Sequence, residues 1–84
     1  MSAQITMYST PWCGYCKRLK SQMNREGIAF EEIDIEQKDD AAEYVMSVNG
    51  GNQTVPTVVV VAPGGKQTVM TNPSLAQVKA KLAV

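Results

Sequence analysis

The chain has 84 residues, of which 44% are hydrophobic and 19% charged, and its eight basic side chains balance eight acidic ones. This size and composition predict one folded domain over residues 1–84, and the zero net charge argues against nucleic acid as a partner. We see neither a membrane-length apolar run nor a secretory signal in the sequence, so we expect no membrane partner and a cytoplasmic location.

The first half of the chain predicts a strand, a helix and a second strand. Residues 4–9 are rich in β-branched and aromatic side chains, which is typical of a strand. A helix is expected over residues 13–26, ending at Gly27, because glycine accepts the left-handed backbone of a helix C-terminus. Its apolar stripe consists of Cys16, Leu19 and Met23. Residues 28–35 predict the second strand.

The second half predicts a helix, two strands and a final helix. Asp39 and Asp40 place negative charge where a helix begins, and this helix should stop at residues 49–52. Its expected common face carries Ala41, Tyr44, Val45 and Val48. The β-branched run at residues 57–62 predicts a central strand buried on both faces, followed by a hairpin partner at residues 67–71. In the last helix we expect Asn72 as N-cap, Pro73 in the first turn, and a buried stripe of Leu75, Val78 and Leu82.

The order of these elements is βαβαββα, which places the protein in the α/β class. A strand–helix–strand unit needs a right-handed crossover, so the first two strands should be parallel. The closing hairpin adds antiparallel pairs. We therefore expect a mixed four-stranded sheet with three helices on its faces.

Both cysteines of the chain, Cys13 and Cys16, lie in the stretch STPWCGYCKRLK. A structural disulfide across so short a loop would constrain little of the unfolded chain, and such bonds are rare in a reducing cytosol. A closed zinc site needs four ligands, and the chain has no histidine and only these two cysteines. A CxxC pair beside a βαβ pattern is typical of a redox-active dithiol.

The predicted helix makes the two thiols unequal. Cys13 falls at the helix start, where free backbone N–H groups and the helix dipole stabilise a thiolate, so it is the expected nucleophile on an exposed position. Cys16 lies on the apolar stripe and is expected to be the auxiliary or resolving thiol. The neighbouring aromatic residues Trp12 and Tyr15 are predicted to shape a substrate-facing surface.

Three sequence segments, WCGYC at residues 12–16, SVNGGNQTVPTV at 47–58 and TNPS at 71–74, carry a family resemblance. Together with the element order, they make the whole chain resemble the glutaredoxin-like redoxins of the thioredoxin superfamily, and among these the mycoredoxins. The resemblance implies that Cys13 is the nucleophile and Cys16 the second cysteine. It further implies that Pro56 is cis and that Thr54 and Val55 lie beside the substrate.

The implied function is the reduction of S-mycothiolated proteins by a monomer that needs no bound cofactor or metal. Mycothiol serves as reducing co-substrate, and mycothiol disulfide reductase acts indirectly by regenerating it. Glutaredoxins commonly carry a lysine where this chain has Thr10, and a glycine pair followed by acids where it has TNPS at residues 71–74. The loss of these charged features fits a largely uncharged sugar-conjugated thiol better than it fits glutathione.

Two other functions are compatible with the pattern. A dithiol redoxin could supply electrons from a thioredoxin reductase to ribonucleotide reductase, although such proteins typically carry a tryptophan-containing motif before the last helix. A different class is a [2Fe–2S] module, since Gly14 after the first cysteine is a small residue of the kind found in cluster-binding glutaredoxins.

Overall fold

The computed structural model describes residues 4–82, which form four strands and three helices. The strands are β1 (Gln4–Ser9), β2 (Glu31–Asp34), β3 (Thr57–Val61) and β4 (Gln67–Thr71). The helices are α1 (Gly14–Arg25), α2 (Asp39–Val48) and α3 (Leu75–Leu82). The prediction of a single domain covers residues 1–84, and its ends, residues 1–3 and 83–84, lie outside the described residues.

The four strands form one sheet in the order β2-β1-β3-β4. β1 pairs with β2 in parallel, as the crossover through α1 requires, and it pairs with β3 antiparallel. β3 and β4 form the antiparallel hairpin. The predicted mixed sheet with three helices is confirmed, and β3 occupies the interior position that its unbroken valine run predicts.

The hydrophobic core divides between the two faces of the sheet. On one face, α1 and α3 cover a cluster of fully buried side chains that includes Met7, Met23, Val58 and Val78. On the other face, α2 contributes Ala41 and Val45 to a smaller cluster. Within the described part of the chain, no helix is long and apolar enough to cross a membrane.

The end of α1 explains why β2 is shorter than predicted. Gly27 has a φ of +72°, and its N–H donates to the Asn24 carbonyl at 3.2 Å. The next N–H, of Ile28, donates to the Met23 carbonyl at 2.9 Å, which completes a Schellman motif. Ile28 therefore belongs to this helix cap and not to β2, whose pairing with β1 runs from Glu31 to Asp34.

The start of α3 also differs from the prediction. The N-cap is Ser74, not Asn72: the Gln77 N–H donates to Ser74 Oγ at 3.2 Å, and the Ser74 N–H donates to Gln77 Oε1 at 2.8 Å. This reciprocal pair is a capping box. Asn72 has a φ of +48°, and its N–H is bound to the Pro56 carbonyl at 2.7 Å, so it serves the turn before the helix. Pro73 is buried in that turn and does not begin the helix.

Candidate active site

The two cysteines lie at the N-terminus of α1, where Cys13 is the N-cap residue. Its backbone is extended, and its Sγ accepts a hydrogen bond from the Cys16 N–H at 3.1 Å. Four N–H groups at a helix start lack partners within the helix, and a cysteine at the cap uses one of them. This bond holds the Cys13 sulfur at the N-terminus of α1, the positive end of the helix dipole.

Cys13 is less exposed than its place at a helix start predicts, with only 5% of its surface accessible. The segment before β3 covers it, because the Cys13 thiol donates to the Val55 carbonyl oxygen at 3.8 Å. The Val55–Pro56 peptide is cis, as the family resemblance implies. The Val55 carbonyl is the contact that joins this loop to Cys13, while Thr54 is half-buried and Pro56 is buried. The substrate-contact roles of these three residues stay predictions.

Cys16 points into the core, as its place on the apolar stripe predicts, and only 1% of its surface is exposed. Burial is the main cause that raises the pKa of Cys16 to about 12, and the side-chain hydrogen bond with Cys13 adds to it. Removal of a thiol from water disfavours its charged form. Cys16 is therefore a neutral thiol at physiological pH, chemically different from a thiolate nucleophile.

A charged side chain lies near the cysteine pair on β2. Glu32 Oε2 accepts a hydrogen bond from the buried Ser9 hydroxyl at 2.8 Å, and Glu32 Oε1 lies 3.1 Å from Lys20 Nζ. Burial tends to raise the pKa of Glu32, but the bonds from Ser9 and Lys20 outweigh it, so the pKa lies below its usual range. The resulting carboxylate contributes to the raised pKa of Cys16.

Two aromatic residues flank Cys13 on the surface: Trp12 is 69% exposed and Tyr15 is 65% exposed. The indole N–H of Trp12 donates to Glu36 Oε2 at 2.9 Å, which orients the ring. Tyr15 stands at one end of a groove between α1 and the turn before α3. Large exposed aromatic rings beside a reactive group are suited to contact with a partner, and this role stays a prediction.

Two polar side chains near the site, those of Asn49 and Thr10, have surroundings that the sequence does not predict. Asn49, at the end of α2, binds side chains from β3 and β4 and reaches the active-site loop through them. Thr10 Oγ1 is buried without a hydrogen-bond partner among residues 4–82. The segment at residues 47–58 contains both Asn49 and its partner Thr57, but its partner on β4, Thr71, lies 22 residues from Asn49, and no sequence pattern indicates it.

Comparison with known proteins shows the family. The glutaredoxin family model matches residues 5–62, which is more than half of the chain. This protein belongs to the glutaredoxin family. A glutaredoxin-like protein of Mycobacterium tuberculosis is 54% identical, over 98% of this chain and 93% of that one. Mycoredoxin 1 of Corynebacterium glutamicum is 40% identical, over 95% of this chain and 94% of its own.

Solved structures agree with this assignment. A glutaredoxin from Archaeoglobus fulgidus superposes with a TM-score of 0.74 at 28% identity, covering 98% of this chain and 88% of that one. The resemblance inferred from the three sequence segments is thereby confirmed, and the protein is a glutaredoxin-like redox protein.

The raised pKa of Cys16 predicts selective alkylation of this glutaredoxin. With iodoacetamide at pH 8, we expect Cys13 to be modified first and Cys16 to stay unmodified, because a thiol with a pKa of about 12 contains almost no thiolate at that pH. Mass spectrometry of tryptic peptides measures both positions. In urea both cysteines should react alike, since unfolding returns Cys16 towards the ordinary pKa of about 8.5. Equal labelling in the folded protein would contradict the assignment.

Proposed function

We propose that this protein reduces S-mycothiolated mixed disulfides, with Cys13 as the nucleophile and mycothiol as the reducing co-substrate. The observation that carries the proposal is the near-full-length similarity to mycoredoxin 1, joined to a Cys13 sulfur that accepts the Cys16 N–H. The family membership supports thiol–disulfide exchange at Cys13, and the mycoredoxin similarity supports mycothiol as the reducing co-substrate. The proposed substrates are S-mycothiolated proteins.

The cycle consists of two thiol–disulfide exchanges. The Cys13 thiolate first attacks the mycothiol sulfur of a mixed disulfide, forms a Cys13–mycothiol disulfide and releases the protein substrate as a thiolate. The thiolate of a second mycothiol then attacks the mycothiol sulfur on Cys13, and mycothiol disulfide leaves while the Cys13 thiolate returns. Each step breaks one disulfide and forms one. Cys16, a neutral buried thiol, is needed in neither step.

The loop before β3 supports substrate positioning. The Val55 backbone lies beside Cys13, and an extended substrate could pair with its peptide groups as an added strand. Such pairing would place the disulfide in line with the attacking sulfur, without reading the side chains of the substrate. This would suit an enzyme that acts on many mixed-disulfide proteins.

The groove beside Tyr15 supports an uncharged co-substrate. It lies between α1 and the turn before α3, and among the described residues that line it Arg18 alone is charged. The other polar lining residues are Tyr15, Gln22, Asn72, Ser74 and Gln77. Neutral amides and hydroxyls can bind the hydroxyl groups of a sugar through hydrogen bonds. At position 10 this chain has a buried threonine, where glutaredoxins commonly carry a lysine that could pair with a carboxylate of glutathione.

Parallel assays of one mixed disulfide with mycothiol, glutathione and a thioredoxin system test this function. We expect kcat/KM with mycothiol to exceed that with glutathione by at least about tenfold, because specificity is the ratio of these values. Comparable values for the two thiols would contradict the mycothiol assignment. Faster turnover with thioredoxin and its reductase would instead favour the ribonucleotide-reductase type of redoxin. An absorption spectrum of anaerobically purified protein with iron–sulfur bands would favour the cluster-binding class.

A further inference from the structure

The side chain of Asn49 joins three elements of the fold next to the active-site loop. Its Nδ2 donates to the Val45 carbonyl at the end of α2 at 2.8 Å, and to Thr57 Oγ1 on β3 at 3.0 Å. Its Oδ1 accepts from Thr71 Oγ1 on β4. Both amide hydrogens and the amide oxygen are thus in use. A half-buried amide bonded on three sides has one orientation, so it can define the positions of its partners.

The bond from Asn49 to Thr57 connects Asn49 to the loop before β3. Thr57 is fully buried, and its hydroxyl accepts from Asn49 while donating to the Thr54 carbonyl at 2.7 Å. A hydroxyl has a single hydrogen, so the bond from Asn49 and the bond to Thr54 occupy different sides of the same oxygen. The chain of bonds therefore ends on the residue directly before Val55.

The other end of the loop is bound by the turn that follows β4. The Pro56 carbonyl accepts the Asn72 N–H at 2.7 Å, and Asn72 follows the Thr71 that binds Asn49. Val55 lies between these two attachments, with its carbonyl oxygen 3.8 Å from Cys13 Sγ.

We infer that Asn49 is a positioning residue, which sets the placement of the Val55 backbone against Cys13 and so controls reaction with peptide-bearing disulfides. The inference rests on the proposed disulfide exchange at Cys13 and is independent of which thiol completes the cycle. Asn49 touches no reacting atom itself. Misplacement of a reacting or pairing group by about 1 Å can cost about 100-fold in rate, so a loose loop should impair reaction with substrates that pair with Val55.

A positioning role and a merely structural role predict different results. A substrate with a peptide backbone next to its sulfur can pair with Val55, whereas iodoacetamide reacts with Cys13 without such pairing. If Asn49 places the loop, its loss lowers only the first reaction. If Asn49 only stabilises the fold, the two reactions of the folded variant change together or not at all.

The test uses the pre-reduced protein in single turnovers. The substrate is a peptide whose one cysteine is joined by a disulfide bond to the amino acid cysteine. For Asn49→Ala we expect the second-order rate constant with the peptide disulfide to fall by about 10- to 100-fold. The iodoacetamide rate of Cys13 should not fall, because a displaced Val55 loop covers the thiol less. The matched control is Asn52→Ala. Asn52 is exposed in the same turn, and among residues 4–82 its side chain binds only the Asn49 backbone carbonyl, so neither rate should change.

A second variant covers the case in which Asn49→Ala does not fold. Thr71→Val removes one bond to Asn49 at an exposed position, and we expect the same selective loss with a smaller magnitude. Parallel loss of both reactions, or unchanged peptide reaction in folded Asn49→Ala and in Thr71→Val, would overturn the inference. Because no thiol co-substrate takes part, failure of the mycothiol assignment would leave this result unaffected.

Discussion

Replacement of Cys13 by serine is expected to abolish mixed-disulfide reduction, with a loss on the order of a thousandfold or more. Serine keeps the shape of the side chain and can still accept the Cys16 N–H at the helix cap. Its hydroxyl, however, does not form a nucleophilic anion near neutral pH, so the first exchange cannot begin. Turnover of a fluorescent mixed-disulfide peptide measures the loss, and circular dichroism checks that the fold is intact.

The matched variant is Cys16→Ser, which we expect to stay within about tenfold of the wild type, or about 1.4 kcal/mol of barrier. The reason is that Cys16 is buried and neutral, with a pKa of about 12, and the proposed cycle does not use its sulfur. Equal loss in the two folded variants would reject the monothiol cycle. That result would assign both thiols to a dithiol mechanism of the ribonucleotide-reductase type.

Replacement of Met23 by alanine is expected to cause the largest loss of stability among single changes in α1. Met23 is fully buried between α1 and the sheet, in the same cluster as Met7, Val58 and Val78. Truncation of a buried methionine costs about 2–5 kcal/mol, against a total of about 5–15 kcal/mol for a typical domain. For a chain of this size, such a loss lowers the melting temperature by roughly 8 to 40 °C.

Urea denaturation and thermal scans measure this effect, with Asn24→Ala as the control. Asn24 is the exposed neighbour of Met23 on the same helix, so its truncation should change the free energy of unfolding by no more than about 0.5 kcal/mol. A loss below about 1 kcal/mol in Met23→Ala would show that the cluster closes over the missing side chain, contrary to a tightly packed core.

Local patterns predicted most of the fold, because each element carries its own period. The buried positions Cys16, Leu19 and Met23 follow from helical spacing, and the buried valines of β3 follow from an unbroken β-branched run. The bounds of β1 and β4 agree with the sequence prediction. The sheet order needed one further rule, the right-handed crossover, which makes β1 and β2 parallel.

The differences arise where a distant partner decides the local structure. Asn72 and Ser74 are both good N-cap residues, and the choice of Ser74 follows from the bond between Asn72 and Pro56. The low exposure of Cys13 results from the loop at Val55, 42 residues further along the chain. The hydrogen bonds of Asn49 reach two strands in the same way. No periodicity within a segment encodes such contacts.

The pairing of β1 with β3 has a consequence for the order of folding. Gln4 pairs with Val61 and Tyr8 with Thr57, so the centre of the sheet joins strands from opposite halves of the sequence. During synthesis, β1, α1 and β2 leave the ribosome before β3, and contacts of such long sequence separation form late. Until β3 arrives, Val55 is not yet beside Cys13, so the loop that leaves only 5% of the Cys13 surface accessible is not yet in place. We therefore expect the Cys13 sulfur to be more accessible in the nascent chain than after completion of the sheet.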